Sequence, residues 1–273
     1  MRRTTLARFG VVALLLAASA ATLAPLSLSV AVALTPQTTL ERDGVALVPS
    51  DWTMANFGEV LRGTPFGVAA LVTVAAAALL TVTQVATSAA AAFVFAKIQI
   101  PGREILFGAM LLTYLVPPVV TIVPVFLAMT RLGLKDTFWG IVIPFLLASP
   151  FAVFLLRQYF RAIPDELIDA ARLDGATMTQ VLCRIVVPLS RPALAIVALI
   201  TAIGQWNAFL WPRLISGSTW PVVTVAVSGL RTQYDQNWGL VLAGTTMALL
   251  PALGAFALSE RQLVHAVAAE ALR

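Results

Sequence analysis

Charge is what this chain has least of. Asp, Glu, Lys and Arg make up 11% of its 273 residues, while 59% are hydrophobic; a soluble domain carries about 25% charged residues. A mean hydropathy of +0.90 agrees. So few polar groups cannot clothe a water-facing surface, and part of the surrounding solvent must be lipid. The one cysteine, Cys183, excludes an intrachain disulfide and reads as a small buried apolar residue. The one histidine, His265, lies in the C-terminal tail, far from that cysteine, so the two cannot by themselves build a zinc site or a Cys–His nucleophile pair. Lysine is nearly missing too. Lys97 follows Ala96 and Lys135 follows Leu134, so neither closes a Gly-Lys-Ser/Thr phosphate loop. Any ATP chemistry must therefore come from another polypeptide, and no cofactor is expected on this one.

Other absences narrow the function class. No carboxylate falls deep within a predicted span, which disfavours a proton-coupled secondary transporter. The lack of a visible internal repeat points the same way. Paired carboxylates or a His/metal set at membrane depth, as an embedded hydrolase or glycosyltransferase needs, are missing. The net charge of +5 and a pI near 10.1 do not mark a nucleic-acid binder, because the basic residues are scattered between apolar runs rather than gathered on one polar face.

What is present is a series of apolar runs. A membrane span needs about twenty such residues, and six stretches qualify: 9–34, 66–96, 105–130, 138–156, 192–211 and 238–258. The expected fold is an all-α polytopic membrane protein with about six transmembrane helices, organised as one domain over 1–273 with its core at about 66–258. The first run has a second reading: Arg2, Arg3 and Arg8 ahead of small residues at 21–24 resemble a secretory signal. The run continues to Leu34, longer than a signal core, which favours an uncleaved span. With the N-terminus inside, twelve basic residues fall on inside segments (Arg2, Arg3, Arg8, Lys97, Arg103, Arg157, Arg161, Arg172, Arg184, Arg191, Arg261 and Arg273). Six fall outside (Arg42, Arg62, Arg131, Lys135, Arg213 and Arg231). That bias sets both termini of a multi-pass membrane protein in the cytoplasm.

The longest inside connection, at 161–188, encodes two short helices. Pro164 suits a first helical position, and Asp165 with Glu166 favours the positive end of the helix dipole. Gly175 is a left-handed stop, and Thr177 with Gln180 has capping-box spacing for the second helix. Pro188 ends that helix, and Ser190 is placed to cap the fifth span with Pro192 in its first turn. A membrane loop gains little from such tight folding unless something binds it. Three- and four-residue spacing puts Leu167, Ala170 and Ala171 on one face, with Asp169 and Arg172 at its flanks. An amphipathic helix lying on lipid is the alternative, but the face lacks a Trp/Phe/Leu wedge and a basic rim.

Asp169-Ala170-Ala171, three residues, Gly175, nine residues, Ile185, two residues and Pro188 together resemble the EAA signature of binding-protein-dependent ABC importer permeases. Asp169 stands where Glu is usual, and Val187 where Leu usually precedes the proline. Leu155–Arg161, Pro188–Leu194, Arg131–Thr137 and Gln205-Trp206-Asn207 look like the carbohydrate, maltose-permease-like branch. The resemblance implies a non-catalytic permease subunit of an ATP-driven sugar importer, forming half of a translocation pathway by alternating access. It implies as partners a second homologous permease, two ATPase subunits that hold ATP and Mg, and an extracytoplasmic solute-binding protein. It also implies that Glu166, Asp169, Ala170, Ala171, Arg172, Asp174, Gly175, Ile185 and Pro188 form a coupling helix and its support, docked in a groove of an ATPase.

Sugars are read by polar side chains and aromatic faces. Gln205, Trp206 and Asn207 in the fifth predicted span, Gln84 in the second and Tyr114 in the third are candidates for lining the pathway; interhelical hydrogen bonding is the other reading. Ala208 stands where related permeases often carry an acidic residue. Absence of charge at depth favours a neutral or weakly charged solute. Pro117-Pro118 and Pro124 are expected to break or bend the third span. A stand-alone secondary transporter or a membrane scaffold is the competing class.

Overall fold

The computed structural model describes residues 2–233 and 237–271, with side chains described over 10–233, 237–255 and at 257. The side chains of Arg2, Arg3, Arg8, Arg261, His265 and Arg273 lie outside the described residues, so expectations resting on them stay with the sequence. Among the described residues the secondary structure is helical. In chain order the helices are α1 (Arg2–Ala33), α2 (Gln37–Asp43), α3 (Ala55–Gly63), α4 (Phe66–Lys97), α5 (Arg103–Tyr114), α6 (Pro118–Arg131), α7 (Phe138–Val142), α8 (Pro150–Arg161), α9 (Asp165–Leu173), α10 (Met178–Val181), α11 (Val187–Leu189), α12 (Arg191–Trp206), α13 (Leu210–Ile215), α14 (Val223–Gln233) and α15 (Trp238–Ala271).

Three stretches are continuous helices long and apolar enough to cross a bilayer: Gly10–Ala33, Phe66–Lys97 and Trp238–Ala255. The other three predicted spans are bent pairs. Arg103–Tyr114 meets Pro118–Arg131 at 91°, Phe138–Phe145 meets Pro150–Arg161 at 43°, and Met178–Leu189 meets Arg191–Trp206 at 83°. Counting each pair as one span gives six. The break expected in the third span is present, the span expected at 138–156 is corrected to a bent pair, and the one expected at 192–211 is preceded by a sharp corner at Ser190. Proline explains the breaks: Pro117 is the N-cap of α6 and Pro118 its first residue, where a missing N–H costs nothing. Pro124, by contrast, sits inside α6 without ending it. The fifth predicted span stops at Trp206, five residues early, because Asn207 takes the C-cap and a new helix begins at Leu210.

The chain forms two compact units. One comprises residues 1–67 and 226–251, the other 68–225 and 252–273. In the first unit, the polar connection at 35–65 is folded into α2 and α3. Buried Asn56 ties it down, donating to the carbonyls of Ala33 at 2.9 Å and Thr35 at 3.0 Å. Gly239 gives this amide its room: a Cβ there would come within 2.7 Å of Asn56 Nδ2. Arg42 forks onto Asp43 at 2.8 and 2.7 Å, and this hydrogen-bonded partner holds the Asp43 carboxyl below its ordinary range.

The second unit contains two apolar clusters. The first gathers Ala92, Phe93, Val153, Leu156, Phe160, Ile168, Val181, Val186 and Val197 from α4, α8, α9, α10, α12 and the turn before α11. The second gathers Val72, Leu80, Ile141, Val142, Trp211, Ile215 and Val222 from α4, α7, α13 and the segment before α14. Fully burying one such aliphatic side chain contributes about 1.5–3 kcal/mol, so these clusters are what holds the short, broken helices in place.

Candidate functional site

The α9 segment is built by local signals at both ends. Its N-cap is Pro164, one position earlier than expected from the sequence, with Asp165 and Glu166 in the first turn. Pro164 holds extended backbone at φ −57°, ψ 136°, so the helix starts at the residue after it. At the C-terminus, the Gly175 N–H donates to the Arg172 carbonyl at 3.0 Å and the Ala176 N–H to the Ala171 carbonyl at 2.9 Å. Gly175 has φ +84°. Those two bonds around a left-handed glycine are a Schellman stop. The second helix follows at once: Thr177 Oγ1 accepts from the Gln180 N–H at 3.3 Å, and the Gln180 side chain accepts from the Thr177 N–H at 2.8 Å. The predicted capping box is complete.

The faces of α9 differ from the expected arrangement. Ile168 is buried and Ala171 packs against the first cluster. Leu167 and Ala170 are exposed, as are Glu166, Asp169, Arg172, Asp174 and Gly175. Leu167, Ala170 and Ala171 therefore do not share one open face; the cluster beneath claims Ala171. Leu173, outside the face that spacing alone marks, is 90% exposed on the outward side. Ile185 packs against the same cluster and Pro188 is half-buried in α11, so both support the segment from below. Leu182–Val186 is a π turn, a form that concentrates at functional sites. Cys183 within it is exposed, a correction to the buried reading, because Val181 and Val186 fill the inward positions. Ser190 heads α12 without a side-chain cap bond, contrary to expectation: its backbone, at φ −101° and ψ 13°, is not in the extended form a capping serine uses.

Two basic side chains, counted in the sequence only as topology charges, hold this segment. Lys97, at the C-terminus of α4, is 4% exposed, and its Nζ donates to the Ile163 carbonyl and to Asp165 Oδ1, each at 2.6 Å. Arg157 of α8, also 4% exposed, donates from Nε to the Phe95 carbonyl at 3.0 Å and from Nη2 to Glu104 at 2.5 Å. Its guanidinium lies 3.9 Å from the centre of the Phe107 ring. Both sit beside the ends of apolar helices, the one signal by which the sequence marks them.

At the second cluster lies a cavity of about 200 Å³, lined by Thr73, Ala76, Ile141, Phe145, Gln205 and Trp211 among others. The wall is uncharged. Trp211 donates to the Gly140 carbonyl at 3.1 Å and meets the Phe145 ring edge-on. Of the five side chains proposed for a pathway, Gln205 lines this cavity. Gln84 is buried and donates to the Phe145 carbonyl at 2.5 Å, which the 3₁₀ turn leaves available. Tyr114 is exposed and stacks on Phe151. Asn207 caps α12, its side chain donating to the Ile203 carbonyl at 3.0 Å. Trp206 is half-buried in the last turn of α12. Among the described residues no group of three or more His, Cys, Asp or Glu is placed to hold a metal ion.

The family model described as binding-protein-dependent transport system inner membrane component matches residues 86–262. The arabinooligosaccharides transport system permease protein AraQ of Halalkalibacterium halodurans is 31% identical over 237 residues, 84% of this chain and 83% of that one. The trehalose transport system permease protein SugB of Mycobacterium tuberculosis is 30% identical over 241 residues, 86% of this chain and 87% of that one. A crystal structure of a bacterial ABC transporter involved in the import of the acidic polysaccharide alginate contains a similar fold. Its TM-score is 0.83 at 23% identity, over 96% of this chain and 98% of that one.

Proposed function

This chain belongs to the binding-protein-dependent transport system inner membrane components, and from that membership we propose that it is a permease subunit of an ATP-driven sugar importer. The whole chain acts as one transmembrane domain and forms half of the pathway with a second, homologous permease. Two ATPase subunits bind ATP and Mg, a solute-binding protein delivers the sugar from outside, and both termini lie in the cytoplasm. The chain itself does no chemistry.

The observation that carries this reading is the α9 segment. A nine-residue helix, closed at its end by a Schellman stop and followed by a capping box, projects Glu166, Asp169, Ala170, Leu173 and Asp174 outward. A leucine 90% exposed gives up about 1.5–3 kcal/mol unless a surface covers it. Three carboxylates on the same side repel the anionic cytoplasmic leaflet, which disfavours a helix lying on lipid. The remaining cover is a protein groove, and the ATPase is the partner this family couples to.

The substrate side rests on the cavity at Gln205. Its uncharged wall, with an amide and an indole ring, suits sugar hydroxyls and apolar sugar faces. Purification of the tagged chain from its native host tests the main reading. The expected complex contains an ATPase and a second permease, and its ATP hydrolysis rises with sugar-loaded binding protein. A chain that purifies alone and transports without ATP would be a secondary transporter instead. For the substrate side, Gln205→Ala is expected to slow uptake while leaving ATP hydrolysis intact; unchanged uptake would remove Gln205 from the pathway.

A further inference from the structure

The two ends of the α9 segment are fastened unequally, and the difference assigns a role to Lys97. On the N-terminal side, the Lys97 ammonium is almost wholly buried, yet it bonds both a main-chain carbonyl, that of Ile163, and a carboxylate, that of Asp165, at the joint between α8 and α9. Burying an amine is costly unless it is fully partnered. An apolar side chain would fill the same space without that cost, but it would not be directional. Arg157 adds a second tie, joining the Phe95 carbonyl of α4 to Glu104 of α5. On the C-terminal side the chain passes through the π turn at Leu182–Val186 and an 83° corner before α12. There the links are apolar, through Val181, Ile185 and Val186, and the buried Ser190 Oγ has no hydrogen-bond partner.

We propose that Lys97 is a positioning residue for energy coupling: it locks the start of α9 to the end of α4, so that movement of α9 is delivered to α4 while the π turn and Ser190 corner yield. This rests on the docking role of α9 proposed above. The stroke then travels along α4, whose other half supplies Thr73, Ala76 and Leu80 to the cavity wall. One continuous 32-residue helix thus joins the docking segment to the cavity.

The test uses the assembled importer in nanodiscs, with Cys183→Ser as background and ATP plus vanadate as the probe. Spin labels at Leu173→Cys on α9 and Ala90→Cys on α4 report whether the two move together. A cysteine at Ala208 reports whether the cavity responds. With Lys97 present, the label distance is narrow and equal in the nucleotide-free and vanadate-trapped states, and reactivity at 208 changes between them. Lys97→Met is expected to broaden the distance distribution and to reduce the change at 208 at least about ten-fold, since both hydrogen bonds of the charged ammonium are lost, with ATP hydrolysis retained. Lys97→Arg restores both readouts. Asp165→Asn alters a side chain 79% exposed, so it folds normally, and it gives the same defect in weaker form. An assembled Lys97→Met complex with an unchanged distance and a full response at 208 overturns the role of Lys97. A complex with Lys97 intact in which vanadate trapping leaves the reactivity at 208 unchanged overturns the docking reading as well.

Discussion

The α9 end and the cavity end of the same unit are held by different chemistry. Around the first cluster the ties are ionic: Lys97 to Asp165 and Arg157 to Glu104, with one partner of each pair largely exposed. Around the second cluster they are neutral. Trp211 donates to Gly140, Gln84 to Phe145, and the Val223 N–H to Thr73 Oγ1 at 2.9 Å. An ion pair is tolerable where one member keeps its water, and prohibitive where lipid surrounds both. A neutral bond is cheaper to bury, and it also leaves no charge to repel or trap a sugar. The contrast matches the two roles proposed for these ends, force transmission at α9 and solute passage at the cavity.

Substitutions at each end sharpen that contrast. The largest expected effect is at Arg157, where three different contacts end on one guanidinium. Arg157→Ala should lower stability by about 3 kcal/mol, measured by thermal unfolding in detergent; a loss below about 0.5 kcal/mol, the scale of a surface change, would mean that the ionic end is ornamental. Next is Gly140→Ala at the neutral end. A Cβ there would overlap the Leu134 carbonyl and press on Ile215, so a loss of about 2 kcal/mol is expected. Gln84→Leu follows. It strands the Phe145 carbonyl, with an expected cost of about 1–2 kcal/mol, and high-salt buffer should leave that cost unchanged. Salt should instead weaken the tie at Lys97, since Asp165 is exposed. The smallest effect is Thr177→Ala, which removes the capping box at a cost of about 1 kcal/mol; circular dichroism at increasing temperature reads it.

How far the sequence disclosed this arrangement depended on range. Signals between near neighbours were legible: Gly175 as a left-handed stop, the Thr177–Gln180 box and the break at Pro117-Pro118 each need only a few residues of context. Apolar run length likewise located six membrane segments. Contacts across long separations were not. Lys97 and Asp165 are 68 residues apart, and Arg157 and Phe95 are 62 apart, so nothing local marks them as partners. Helical spacing shows which residues share a face but not which face the rest of the fold covers, and this is why Ala171 turned inward and Leu173 outward. The early stop of α12 at Trp206 escaped because the apolar run continues through the break. Of the pathway candidates, Gln205 reached the cavity, while Gln84, Asn207 and Tyr114 have structural partners, since a polar residue in an apolar run looks the same whichever role it has.

Disulfide or bifunctional crosslinking at Leu173 most directly tests whether α9 docks on an ATPase. In the assembled complex with Cys183→Ser, a cysteine at Leu173 should crosslink to the ATPase subunit and be shielded from a lipid-soluble reagent, while one at Ile168, which is buried in the first cluster, should do neither. Labelling of the Leu173 cysteine by the lipid-soluble reagent, with no ATPase adduct in a complex that hydrolyses ATP, would place α9 on the membrane surface and refute its coupling role.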